Sequence, residues 1–299
     1  MNQRSLSQLV LLALIWGSSF MFIKIAVRDL NPATLVMGRT GLAAIALGAV
    51  VLVSLGRGAT AAELRAHWRG LLAVGLLNTA VPFWLLSWGE TRIDSGLASI
   101  IQASVPIFNA LIAFVAFREV RVTGMRLVGV AVGFVGVALL VGAQPEGKVL
   151  GALAVVGMAF CYGLGGLLTG RYLKPAQPVV VSFASTAIAT LVWLPVGIAQ
   201  APAHMPGWKT IGSVLALGIP GTALAYLLFF GLITGAGAAY ASLVTYLIPP
   251  IALAYGAIFL GERFGAAAFG GLALILAGVA LGTGAVRFRR ARQPQPVDT

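Results

Sequence analysis

Ten apolar runs, each about 19 to 26 residues long, follow one another with short connections: residues 6–27, 32–54, 70–90, 93–117, 124–142, 149–172, 177–198, 208–232, 235–260 and 265–286. At about 1.5 Å per helical residue each spans a bilayer's hydrocarbon core, where a chain must satisfy its own backbone groups. Uninterrupted runs of this length predict helices rather than strands. The composition agrees: 59% of the 299 residues are hydrophobic and eight are acidic, which no soluble domain of this size carries. An all-α membrane protein with ten transmembrane helices is expected. The first run continues through Trp16 to Lys24 without a small-residue cleavage site, so it is read as a true helix.

A net charge of +12 raises the question of nucleic acid, but the cations lie in short clusters between apolar runs. No nucleic-acid partner is expected, and topology explains the clusters. With the N-terminus in the cytoplasm, Arg4, Arg57, Arg65, Arg69, Arg118, Arg121, Arg126, Arg171, Lys174, Arg287, Arg289, Arg290 and Arg292 fall inside. Arg28, Arg92, Lys148, Lys209 and Arg263 fall outside, so both termini are placed in the cytoplasm. The single cysteine, Cys161, forms no intramolecular disulfide, and His67 and His204 lie in different connections. No cofactor and no metal centre are expected.

One stretch occurs twice. Ser95 to Glu119 and Ala238 to Glu262 align at a constant offset that puts Ala98 on Ala241, Ser99 on Ser242, Pro106 on Pro249 and Glu119 on Glu262. The same offset pairs Gly75 with Gly218, Thr79 with Thr222 and Phe83 with Tyr226. After a one-residue slip, Gly129 pairs with Gly271 and Gly136 with Gly278. The repeating unit is therefore five helices, residues 1–143 and 149–286, with a basic, disordered cytoplasmic tail at 287–299. An odd number of crossings makes the second unit enter from the opposite side, so the halves are expected to be inverted about an axis in the membrane plane.

Within the duplicated stretch Ser95, Ser99, Gln102, Pro106 and Asn109 recur at helical spacing and form one polar stripe. Pro106 cannot donate to the Gln102 carbonyl, and Pro249 and Pro250 free those of Thr245 and Tyr246. At membrane depth such groups face protein or a watery cavity, so Pro106 and Pro249 are candidate hinges beside a site. A packing kink satisfied by a neighbouring helix is the competing reading. The candidate binding residues are Trp16, Asn78, Thr79, Phe83, Ser99, Gln102, Tyr162, Tyr226, Thr245 and Tyr246, which offer rings with polar tips, amides and hydroxyls to a small amphipathic ligand. Ser19 and Tyr240 lie nearby in the first and ninth runs. Trp84 and Trp88 read as headgroup-level anchors. Lys24 and Arg39, one to two turns from the outer surface, either hold a substrate carboxylate or snorkel and bond helix-end carbonyls, and are left out of the binding set. Gly129 with Gly133 and Gly278 with Gly282 allow close helix approach and leave monomer and homodimer both open.

Ten helices as five plus five, the pattern WGSSF...K at Trp16 to Lys24, Pro32 followed by Arg39, and a glutamate closing the fourth and ninth runs resemble the EamA branch of the drug/metabolite transporter superfamily. The similarity covers nearly the whole chain, and within the family is greatest to YddG-type exporters of aromatic and other neutral amino acids. The resemblance implies a basket-like bundle in which runs one, three, four, six, eight and nine surround a cavity while five and ten lie outside. It also implies an alternating-access exporter of small metabolites in the cell inner membrane. The small four-helix multidrug relatives place a glutamate in their first helix, where this chain has Trp16, Ser18 and Ser19, so proton-coupled export of cations is disfavoured. Amino acids including aromatic ones are the expected substrates; sugar phosphates, nucleotide sugars and cationic compounds are the alternatives. An intramembrane enzyme would need a nucleophile with its base, paired acids or metal ligands at depth, and none is read.

Overall fold

The computed structural model describes residues 3–117 and 125–282, and every described element is helical. In chain order these are α1 (Gln3–Ala26), α2 (Pro32–Gly75), α3 (Val81–Glu90), α4 (Ser95–Gln102), α5 (Val105–Ile112), α6 (Met125–Gly142) and α7 (Glu146–Tyr172). They continue as α8 (Pro178–Ala199), α9 (Trp208–Gly218), α10 (Ala225–Ala236), α11 (Ala238–Ala241), α12 (Val244–Leu260) and α13 (Ala266–Gly282). Turns of π-helix occupy Leu76–Ala80, Ala113–Phe117 and Ile219–Leu224. Six helical stretches are long and apolar enough to cross a membrane: Gln3–Ala26, Pro32–Glu90, Ser95–Val115, Gly147–Tyr172, Pro178–Ala199 and Trp208–Ala236. Leu127–Gly142, Val244–Leu260 and Ala266–Leu281 are shorter apolar helices.

Local chemistry sets several ends. Asn31 caps α2 by accepting from the Ala33 amide at 3.3 Å, and Pro32 follows where a missing N–H costs nothing. The 59-residue stretch Pro32–Glu90 is far too long to be one crossing, and it is broken at Gly56, whose φ of 78° suits a residue without Cβ. Gly261, at φ 68°, ends α12 and turns Glu262 back so that its carboxylate accepts from the Ser95 and Gly96 amides and the Ser95 hydroxyl. That carboxylate thereby satisfies the free donors at the start of α4.

Packing divides the helices into groups. α2 runs along α8, tied by Thr190 donating to Thr40 at 2.9 Å and Thr34 donating to the Gly197 carbonyl at 2.9 Å. α1 lies against α12, and α3 against α7 where Gly89 and Gly151 pass so closely that a Cβ on either would meet the other's carbonyl. α6 and α13 pack chiefly on each other and reach the rest through α4, α5 and α7. A Cβ on Gly278 would collide with the backbone at Gly129 and Gly133. The small residues of the fifth and tenth runs are thus used within the chain. Ile45, Val53, Leu191 and Ile258 are largely exposed on the outside of the bundle, as a lipid-facing surface requires.

Three features differ from the sequence reading. Residues 57–69, expected to connect two crossings, are helical within α2. The fourth run breaks at Ala103 and Ser104, one residue before the Val105–Pro106 start of α5, whereas α12 continues unbroken through Pro249 and Pro250. The break in the second copy falls four residues earlier in the aligned register, at Ser242 and Leu243, after Gly237 at φ 90°, so the two prolines are not equivalent in structure. Glu119, Arg118, Arg121 and the tail from Thr283 onward lie outside the described residues.

Candidate functional site

The cavity is a product of interrupted helices. Gly75 and Gly218, equivalent at the constant offset, are each followed by a turn of π-helix. A π turn spreads its carbonyls and side chains wider than an α turn, and such turns recur at functional sites. The first brings Asn78 and Thr79 inward, with Asn78 Nδ2 donating to Thr169 Oγ1 at 3.2 Å. Gly165 on α7 makes room for this amide, because a Cβ there would overlap Asn78 Oδ1. The second contains Thr222, fully buried, whose hydroxyl donates to the Leu217 carbonyl at 2.8 Å. Trp193 Nε1 donates to the Ala80 carbonyl at 2.8 Å, closing the first turn from the α8 side.

Between these elements lies a cavity of about 490 Å³. Trp16 on α1 and Phe229 on α10, with ring centroids 5.4 Å apart, form one wall, and Phe229 continues into Phe230 at 5.8 Å. Ser99 and Gln102 at the end of α4, and Pro106 at the start of α5, border it at the helix break. Thr245 on α12, Tyr162 on α7, Tyr226 on α10 and Phe83 on α3 complete the part foreseen. Nine of the ten candidate binding residues, Trp16, Asn78, Thr79, Phe83, Ser99, Gln102, Tyr162, Tyr226 and Thr245, therefore border one cavity. Tyr246 does not: it packs against the main hydrophobic core. Pro249 is buried inside α12 and also lies away from the cavity. In the polar stripe, Ser95 is taken up by Glu262, and Asn109 reaches toward the Gly163 carbonyl at 3.5 Å.

The structure adds lining that the sequence reading passed over. Ser182 and Ser185 on α8 and Thr169 on α7 contribute hydroxyls, so the seventh run takes part in the cavity as well as the sixth. The three-residue spacing of Ser182 and Ser185 on a largely apolar helix was the available signal. Arg39 on α2 is the larger addition. Only 6% exposed, it donates from Nε to Thr222 Oγ1 at 2.9 Å, and its guanidinium lies 4.0 Å from the centre of the Phe83 ring. No residue of α6 or α13 borders the cavity.

Lys24 resolves differently. Its ammonium donates to the carbonyls of Glu90 and Ile93, each at 2.7 Å, which is the helix-end alternative of the sequence reading. Glu90 is fully buried at the end of α3, with neither carboxyl oxygen hydrogen-bonded among the described residues, and it does not border the cavity. Trp84 stacks on Trp193 at 5.4 Å, and Trp88 lies under Arg92 at 3.6 Å. Among the described residues no three His, Cys, Asp or Glu side chains group as metal ligands would.

The sequence pattern of the EamA-like transporter family matches residues 4–142 and again residues 149–283. A protein of Archaeoglobus fulgidus named as a transporter is 29% identical over 279 residues, covering 91% of this chain and 95% of that protein. A "probable terminal-alkyne amino-acid exporter" of Streptantibioticus cattleyicolor is 28% identical, covering 91% of each chain. A "probable amino-acid metabolite efflux pump" of Escherichia coli is 25% identical over 94% of this chain and 95% of its own length. One crystal structure superposes with a TM-score of 0.64 over 95% of this chain and 98% of the other, at 18% identity, and so shares the fold. With both halves of the chain matched and its helices enclosing a cavity, this multi-pass membrane protein belongs to the EamA-like transporter family.

Proposed function

We propose that the protein is an alternating-access exporter of small metabolites, most of all amino acids including aromatic ones, working from the cytoplasm across the cell inner membrane. The observation that carries this is the cavity: about 490 Å³ inside a bundle whose outer face is apolar, lined by rings with polar tips together with amides and hydroxyls. That volume suits a ligand of amino-acid size, and the mixture suits one with an apolar side chain and a polar head. Two relatives whose names refer to amino-acid export support the same class.

Counting the Pro32–Glu90 stretch as two crossings on either side of Gly56 gives ten crossings, arranged as inverted units at 1–143 and 149–286 with both termini cytoplasmic. On this reading Asn78, Ser99, Gln102 and Thr245 hold the polar head while Trp16, Phe83, Tyr162 and Tyr226 enclose the side chain. Pro106 marks the movable joint. Sugar phosphates and nucleotide sugars would need several cations, and Arg39 alone among the lining residues carries a charge.

Purified protein in liposomes, given labelled phenylalanine, threonine, methionine, sugar phosphates, nucleotides and cationic dyes, tests the reading. Protein-dependent flux of amino acids is expected; flux of dyes or sugar phosphates with none of amino acids would refute it.

A further inference from the structure

We propose that Arg39 is the carboxylate-binding residue of this cavity, so that the cargo is an organic acid bearing a single carboxylate, with its amine, where it has one, left to the amides and hydroxyls. The inference rests on the reading of the cavity as the transport site and names the cargo's head group.

The geometry separates Arg39 from an arginine used only for packing. Its Nε is committed to Thr222 and one face lies on Phe83, which fixes the plane of the guanidinium. The terminal Nη groups make no hydrogen bond among the described residues, and the side chain borders the cavity. A guanidinium held by Nε and one face presents the remaining N–H groups as a fork, the geometry that matches the two oxygens of a carboxylate. Lys24, the other intramembrane cation, is the internal comparison: its donors are spent on two carbonyls, and it lies off the cavity.

Charge balance points the same way. No carboxylate lies within ion-pair distance of Arg39 among the described residues; the buried Glu90 acts on it only at longer range and more strongly on Lys24, and a cation at membrane depth is expensive unless something pairs with it directly. A monoanionic ligand neutralises the site one for one. A phosphate dianion would leave a charge over in a cavity with no second cation, and a cationic ligand would meet a like charge. Thr222 belongs to the second π turn and Phe83 lies in the first turn of α3, which follows the first π turn, so a ligand on Arg39 touches a group positioned by both halves of the chain.

Matched acid and amide pairs decide the matter: phenylalanine with phenylalaninamide, and 3-phenylpropionate with 3-phenylpropionamide. Binding is read by thermal shift of the detergent-purified protein, and flux in liposomes corrected with protein-free vesicles. The acid of each pair should be preferred at least about tenfold, equivalent to about 1.4 kcal/mol. In Arg39→Gln the preference should fall to within about twofold; in Arg39→Lys it should persist at a lower rate. Equal handling of acid and amide by the wild-type protein overturns the proposal without any variant, and so does a preference that survives in a folded Arg39→Gln. If 3-phenylpropionate is preferred over its amide while no amino acid is carried, the carboxylate site stands and the amino-acid reading falls. If neither pair binds or moves, both fall.

Discussion

Lys24 Nζ donates to the Ile93 carbonyl at 2.7 Å, and in the same reach to that of Glu90, so one ammonium ties the end of α1 to the turn joining α3 and α4. Charge-assisted bonds of this kind are worth more than neutral ones, and their loss leaves two carbonyls in an apolar setting. Lys24→Met should therefore cost about 2 to 4 kcal/mol of stability. The check is the melting midpoint of the detergent-purified variant, expected several degrees lower. Because Lys24 does not border the cavity, the acid-to-amide ratio of folded material should not change.

Gly165 and Asn78 form a coupled pair, since a Cβ at 165 would overlap the amide oxygen of residue 78. Gly165→Ala alone should reduce amino-acid flux about tenfold or more by pushing the amide off Thr169. Adding Asn78→Ser should restore part of the loss by freeing the space. Initial rates for the two single variants and the double variant give the coupling, and additive losses would show that the two positions act separately.

The prolines should not behave alike. Pro106 starts α5 directly after a break, whereas Pro249 sits in a helix that runs on past it. Pro106→Ala can extend helical bonding across Ala103 and Ser104 and stiffen the joint, with normal expression and flux reduced several-fold. Pro249→Ala should change flux less than about twofold. Transport assays on both variants at matched protein amounts make the comparison.

The topology predicts labelling. With Cys161 replaced, a single cysteine at Lys148 should react with an impermeant thiol reagent in intact cells, and one at Arg65 should react only after the membrane is opened. Reaction at Arg65 in intact cells would invert the orientation proposed.

What the sequence disclosed, and what it withheld, follows from the period of the signal. Ser99, Gln102 and Pro106 were legible because their spacing repeats along one helix face, and the structure places all three at the cavity. Their partners on other helices had to be chosen by residue type, and of these the structure sets Trp16, Asn78, Thr79, Phe83, Tyr162, Tyr226 and Thr245 at the cavity, whereas Tyr246 packs into the core instead. Arg39 was visible as a charge. What decides its role is the hydroxyl of Thr222 from the other half of the chain, a contact that no local pattern encodes. Lys24 was equally visible, and only the position of the α3 end shows where its donors go. The break at Ser242 and Leu243 was missed because proline is the conspicuous helix breaker, whereas this one comes without proline beside it.

The matched π turns after Gly75 and Gly218 carry one residue more than the α-helical turn each replaces. Removing that residue from either would close it to an ordinary α turn and leave the helix downstream in nearly the same phase, so Phe83 and Tyr226 would keep their places. What would go is the widened turn itself, and with it the placement of Asn78 and Thr79 in the first and of Thr222, the support of Arg39, in the second. A one-residue deletion that left hydropathy and span length almost unchanged would thus strip the cavity of polar groups while sparing its rings.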